Sequence, residues 1–533
     1  MAASGIEIDI PATSSKENRS PSDREFAFEK GPWLLTQVIL QDQSDVHGEM
    51  LWERNYLLHP SEKHIEAQGN LFSIENTLTG AGMVFVKRAP LPHARESSAA
   101  FDFKCLTDQN AFHFKLYEPE LWSIIEYSGA LPGRISSFHG WQRAQRPTTT
   151  PHLIPKLLCN TWGDRSRDSR VQEKFIFKEI EAAARLGAEV VQIDDGWQKG
   201  RSSNSAIIPE NGGTWEGFWK HDPQFWEADS LRFPNGLQAV TEHAKKFGVE
   251  IGLWFAPDSS DEFNNWEKDV TKILELHKIL GIRHFKFDGI NARTPLSYKR
   301  LCQMLDAIQT GSQDNIFFDL DITAQSRPGY FGAMNTGAIF VENRYTDWHN
   351  YWPHHTLRTL WLLSRWIDPL RLRMELLNNS RNQDKYIDDP LAPIHYSPDT
   401  LFATVMFSNP LGWFEVSNLP EEYFQKATPL IMLWKSLRPE LFRGTILPIG
   451  EVPDGVAWTG FISLAQDMKS GFVIVFRELN RESEAILSLP GLKERSLKFE
   501  ILFGEGAVSN CAGAIKVSIP KKLGYVFAQF KAN

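Results

Sequence analysis

The sequence predicts a multidomain α/β protein, with a central (β/α)8 (TIM) barrel flanked by an N-terminal β-sandwich and a C-terminal β-sandwich. Three observations predict it. Between about residues 155 and 345, short apolar runs alternate with amphipathic runs that close on glycine. On either side the pattern changes to short strands separated by turn signals. Within the middle part, acidic and Trp residues collect where the apolar runs end.

Residues 1–25 are rich in Ser, Pro, Lys and Glu and read as a disordered tail. From 26 to 150, LLTQVIL, LFSIENTLTGAGMVFVK, AFHFKLYE and WSIIEYSG read as strands of the first sandwich. The barrel is expected over 151–435. There LLCNTWG is a strand, RVQEKFIFKEIEAAARLG a helix ending at Gly187, and AEVVQIDD a strand. GLQAVTEHAKKFG is a helix ending at Gly248, VEIGLWFAPD a strand, and NWEKDVTKILELHKILG a helix ending at Gly281. IRHFKFDG, NIFFDLDITA and GAIFVENR are strands, with the helix PLSYKRLCQMLDAIQTG after the first of them. The glycines stand where a left-handed residue closes a helix. Strand after helix after strand requires parallel pairing, and eight such strands close a barrel. A doubly wound sheet is the alternative; it would usually carry a glycine-rich phosphate turn after its first strand, which this chain lacks. From 436 to 533, LFRGTILPIG, VAWTGFISLA, SGFVIVFREL, SLKFEILFG, AIKVSIPK and GYVFAQF form the second sandwich.

Composition narrows the function classes. A net charge of −9 without a basic patch argues against nucleic acid or anionic membrane as partner. Four scattered cysteines without a CxxC pair indicate neither zinc nor a disulfide framework. No apolar run is long enough to span a bilayer and no signal-peptide pattern opens the chain, so a cytoplasmic location is expected. The 18 Trp and 35 Phe supply flat apolar rings, which usually fill cores but also recognise ligands.

In a barrel of this kind the chemistry lies at the C-terminal ends of the strands. Those ends carry Trp162 and Asp164, Asp194, Asp195 and Trp197, Trp254 and Asp258, Lys286 and Asp288, Asp319 and Asp321, then Glu342. In GIRHFKFDGI, Lys286 and Asp288 are two apart and share a strand face. Lys286, one layer below, can hold Asp288 ionised or meet a substrate hydroxyl. Each group also has a structural reading. Asp194-Asp195-Gly196 suits a turn or helix cap. Lys286–Asp288 suits an ion pair, and Asp319 with Asp321 suit a satisfied barrel interior. Six successive strand ends in acid or Trp favour a site. Two chemistries need such a pocket: a Mg²⁺ site with carboxylate ligands, or glycoside hydrolysis by a pair of carboxyl groups. The Trp content favours sugar.

Set in order, these segments resemble clan D α-glycosidases, most closely glycoside hydrolase family 36, the α-galactosidase family. CNTWGDRSRD resembles that family's first-strand Asn-x-Trp segment, and ARLGAEVVQIDDGWQKGR its Asp-Asp-Gly-Trp segment. FPNGLQAVTEHAKKFGVEIGLWFAPD matches its Phe-Pro-Asn-Gly-Leu helix and Gly-Leu-Trp-Phe-x-Pro strand, and GIRHFKFDG the strand bearing the nucleophile. The likeness runs from about 157 to 345 and more weakly to 420. It implies Asp288 as nucleophile, Asp194, Asp195 and Trp197 with Trp254 and Lys286 around the terminal sugar, and no cofactor or metal. Where the family carries its acid/base, this chain reads AIFVENRYTDWHNYW, which implies Glu342 or, second, Asp347. The family's Cys-containing turn is replaced by DLDITAQSRPGYFG, which puts Asp321 near that Cys and Arg327 near the family's Arg. The family's Arg-Asn-Gln segment is missing between Asp258 and Trp266. Adjacent His354 and His355 read as loop or helix-start residues, since a helical metal pair wants i, i+4 spacing.

The expected activity is hydrolysis of terminal α-linked sugars, α-galactosides first, with retention through a glycosyl-enzyme intermediate. Transfer to an acceptor sugar, another α-glycoside, a non-catalytic sugar-binding protein and a Mg²⁺-dependent barrel enzyme remain alternatives. The expected partner is a carbohydrate substrate, and the family resemblance makes a homo-oligomer plausible.

Overall fold

The computed structural model describes residues 7–9, 23–26, 31–41, 48–58, 63–90, 99–107, 112–207, 212–321, 329–341, 343–492, 496–511 and 513–532. Most of the 1–25 tail, and both Glu342 and Arg327, lie outside them.

The N-terminal part is two antiparallel sheets, of six and four strands. Alternation along Trp33–Leu40, Leu71–Asn76 and Gly82–Lys87 turns one side chain set inward. Phe72 of one sheet stacks on Phe103 of the other at 4.4 Å, and Phe85, Phe114 and Trp122 complete the core between them. Helix Ala130–Ala144 leaves this domain and is tied to the barrel by Arg143 Nε, 3.0 Å from the Asp368 carboxylate, and by Gln142, which donates to the Trp366 carbonyl at 2.8 Å.

Eight parallel strands follow and close on themselves. They are β1 (Leu158–Asn160), β2 (Val190–Ile193), β3 (Glu250–Phe255), β4 (His284–Phe287), β5 (Phe317–Asp321), β6 (Gly337–Phe340), β7 (Leu372–Leu376) and β8 (Asn409–Trp413). β8 returns to β1 with Trp413 beside Asn160. The expected barrel is therefore present. Its intervening helices follow their sequence signals. In Glu173–Leu186 the residues Ile176, Ile180 and Ala183 are buried at helical spacing, and Gly187 closes the helix at φ 90°. Pro295–Ser312 starts on a reciprocal Thr294–Ser297 capping box with Pro295 in the first turn. That helix runs through Gly311 instead of stopping there and closes on Gln313 at φ 55°.

The barrel interior is polar in layers. At the floor His284 Nε2 lies 3.2 Å from Glu250. Gly252 leaves the room this needs, because a Cβ there would sit 3.2 Å from His284 and 3.3 Å from Gln192. Above lies the buried pair Arg373–Asp319 at 2.8 Å, with Gln192 donating to Asp319 at 3.3 Å. The mouth holds the third layer, described below. Helix Glu421–Leu441 then leads to antiparallel sheets of five and three strands around Ile462, Val473, Val526 and Ile515. No helix among the described residues is long and apolar enough to cross a membrane.

Candidate active site

Strand register sets the site. Trp254 on β3, Lys286 on β4 and Asp319 on β5 are paired neighbours, so Asp288 emerges one step beyond Lys286 at the rim. Gly289 lets the chain turn at once, at φ 62°; a Cβ there would lie 3.2 Å from the Trp215 indole.

Three charged groups meet at this rim. Lys286 Nζ lies 3.1 Å from Asp194 Oδ2 and 3.8 Å from Asp288 Oδ2. Burial alone would lower the Lys286 pKa, but the carboxylates of Asp194, Asp288 and Asp321 raise it overall, so it stays an ammonium. Asp194 Oδ2 also accepts from Asn160 Nδ2 at 2.7 Å, and its Oδ1 accepts from the Asp195 N–H at 2.9 Å. Asp288 Oδ2 accepts from the Trp254 indole at 3.2 Å and its Oδ1 from the Gly289 N–H at 2.7 Å. Its side chain is the most open of the three, at 14% against 3% for Asp194 and 6% for Lys286. The result is a carboxylate fixed in orientation, charge-balanced from behind, and open in front.

Other expected site residues divide. Asp321, Trp254 and Lys286 stand around this cluster. Asp195 points to its own loop, where Gln198 donates at 2.6 Å and Ser202 donates to the second oxygen. Burial pushes its pKa up to about 7; the Ser202 and Gln198 hydrogen bonds oppose this and the Asp194 and Asp168 charges add to it. Trp197 is fully buried and donates to the Trp254 carbonyl at 2.7 Å, so it supports the strand end from behind instead of facing a ligand. Asp258 ties a turn, accepting from Gly217 N at 2.8 Å and Ser260 Oγ at 2.6 Å. Asp347 is paired with Arg381 at 3.1 Å and also accepts from Asn382. His354 and His355 open helix Pro353–Leu363, and no cluster of three or more metal-ligating side chains occurs among the described residues.

Sequence reasoning missed Trp215, Tyr345 and Arg381. Trp215 arrives on the loop after β2, with its ring 6.3 Å from that of Trp254. No period or motif marks that loop. A cleft of about 1160 Å³ lies elsewhere, between helix Ala130–Ala144 and the C-terminal sheets. Among the described residues no carboxylate lines it.

No known protein-family profile matches the chain. Among curated proteins, an α-galactosidase of Escherichia coli is 29% identical over 143 residues, covering 27% of this chain and 18% of that one. α-Galactosidase AgaA of Geobacillus stearothermophilus is 23% identical over 265 residues, covering 48% of this chain and 33% of its own. The chain thus matches only 18% to 33% of these relatives' length. Among solved structures, AgaA superposes with a TM-score of 0.69 at 14% identity, over 96% of this chain and 76% of that one. The Lactobacillus brevis α-galactosidase gives 0.68 at 12% identity, over 96% and 75%. The fold is that of the glycoside hydrolase family 36 α-galactosidases, and both of these curated relatives are α-galactosidases; a third partial match, 36% identical over 106 residues, is to a gamma-humulene synthase of Abies grandis.

Proposed function

We propose that the chain is a retaining α-glycosidase acting on terminal α-linked sugars, α-galactosides first, with Asp288 as nucleophile. The observation that carries this is the Asp288 carboxylate, oriented by the Trp254 indole and the Gly289 N–H and backed by an ammonium shared with Asp194. A nucleophilic carboxylate must be charge-supported, aimed and accessible; the ammonium and the two donors support the first two, and the 14% exposure of the Asp288 side chain supports the third. The likeness to α-galactosidases supports the sugar, as do AgaA variants solved with raffinose and stachyose.

In the proposed reaction Asp288 attacks the anomeric carbon while a second carboxyl group protonates the leaving oxygen. That group then takes a proton from the water that breaks the glycosyl–enzyme ester. Glu342 is the proposed acid/base. Asp347 is already held by Arg381 and by Asn382, which favours Glu342 for this role. Asp194 and Asp321 are proposed to accept from sugar hydroxyls, and Arg327 to donate to one.

The test is release of 4-nitrophenol from a panel of 4-nitrophenyl α-glycosides of galactose, N-acetylgalactosamine, glucose, xylose and arabinose. The α-galactoside is expected to turn over, and Asp288→Ala to lose roughly 10⁴-fold in kcat. Added azide should restore part of that loss as the β-galactosyl azide. Glu342→Ala should keep more activity on this activated leaving group than on an unactivated one. No turnover of any sugar refutes the reading.

A further inference from the structure

One run of aromatic side chains starts at Lys286, whose ammonium lies 3.8 Å from the candidate nucleophile. The Lys286 ammonium lies 5.1 Å over the Trp413 ring and 5.4 Å over that of Phe340. The ring of Tyr345 is 5.9 Å from Trp413, and that of Trp348 a further 4.4 Å away, edge-on at 61°. Arg165, from the loop after β1, meets both, its guanidinium 4.8 Å from the Tyr345 ring and 4.5 Å from that of Trp348.

Exposure changes sharply along this run. Trp413 and Tyr345 are 1% exposed, whereas Trp348 is 45% exposed. A tryptophan needed only for packing would bury its rings, since that is its main contribution to a core. This one is held out at the rim on a fixed base. Arg381 clamps the neighbouring Asp347, Asn382 donates to Thr346 Oγ1 at 3.0 Å, and Lys385 donates to the Asp347 carbonyl. Arg165 is itself held at φ 59°, which a non-glycine residue adopts only at a cost.

We infer that Trp348 and Arg165 form the leaving-group subsite, with the indole taking the C–H face of a pyranose ring and the guanidinium donating to its hydroxyls. The inference rests on the hydrolytic reading above, and it makes that reading more specific: the departing group is a saccharide. Trp413 and Tyr345 are buried beneath, so a ligand whose terminal sugar lies on Asp288 would meet the stack only at Trp348 and Arg165. An amphipathic ring and a fork of N–H donors are the groups a sugar with one apolar face and a polar edge requires.

The test compares α-galactosyl fluoride, whose leaving group fills no subsite, with an α-galactosyl-terminated trisaccharide. For Trp348→Ala the ratio of trisaccharide to fluoride kcat/KM should fall about 10- to 100-fold, carried mainly by KM. Trp348→Phe should restore part of it, and Arg165→Ala should lower the ratio as well. Because Trp348 is largely exposed, the unfolding midpoint should not move with the ratio. A ratio within about two-fold of wild type overturns the subsite while leaving the hydrolytic reading intact. Wild-type protein that turns over neither substrate overturns both.

Discussion

Replacing Lys286 by Met tests the electrostatic core of the site. The ammonium stands 3.1 Å from Asp194 and 3.8 Å from Asp288. At an effective dielectric of about 20 each contact is worth roughly 4–5 kcal/mol before desolvation is subtracted. Removing one partner of a buried ion pair generally costs about 3–5 kcal/mol, because the remaining charge is left uncompensated. Here two carboxylates would remain, so the upper end applies at alkaline pH. In the wild type the pKa of Lys286 is raised, so its contribution is complete below the ordinary lysine pKa and would be lost only as pH rises through the raised one. Between pH 5 and 8 the wild-type contribution is therefore constant. In the variant one carboxylate relieves the repulsion by taking up a proton, so the deficit should shrink on acidification. Thermal unfolding of the barrel at pH 8 should drop by about 6–10 °C, and by clearly less at pH 5. Equal midpoints for the two proteins at pH 8, or a deficit that grows towards pH 5, would refute the reasoning.

Asp195→Asn should alter the pH dependence of stability in the opposite sense. Burial raises the Asp195 pKa to about 7, so ionising it costs stability that builds up from pH 4 to 7. The variant lacks that penalty, and its unfolding free energy relative to wild type should rise across this window, by a few kcal/mol at most; a flat difference in denaturant titrations would count against it. In the middle layer, Arg373→Met should destabilise by about 3–5 kcal/mol by stranding Asp319, while Asp319→Leu/Arg373→Met should recover most of that loss. Denaturant titration of both variants checks it, and equal losses in the single and double variants would contradict the pairing.

The strands bearing the candidate site were readable because each is a short apolar run with an abrupt polar end, as in HFKFDG. The barrel's last strands were hidden. β8, NPLGW, contains Pro410 and Gly412, both turn signals, yet it is a buried strand because the barrel closes around it. β7, LRMEL, lies in a run whose composition fits a later barrel loop as well as a helix terminus; Arg373 and Glu375 are charges at interior positions, and Arg373 is satisfied by Asp319 far along the chain. The site was legible as strand-end residue types, but not as roles. Asp194 and Asp195 are adjacent in sequence, and only the fold turns one to Lys286 and the other to Ser202 and Gln198. Trp197 likewise sits beside them in the chain and behind them in space.

The shared ammonium also suits the proposed reaction cycle. One Lys286 ammonium is shared between the carboxyl groups of Asp194 and Asp288, at 3.1 and 3.8 Å. Forming the ester on Asp288 removes its charge, and the ammonium is left to Asp194 alone. The local excess of negative charge therefore falls as the intermediate forms and returns as water releases the sugar. The free site holds an excess negative charge where positive charge develops on the sugar ring, the condition for stabilising the transition state more than the neutral substrate. A lysine placed one layer below the nucleophile thus supplies enough charge to keep Asp288 ionised, but too little to cancel the field that the reaction uses.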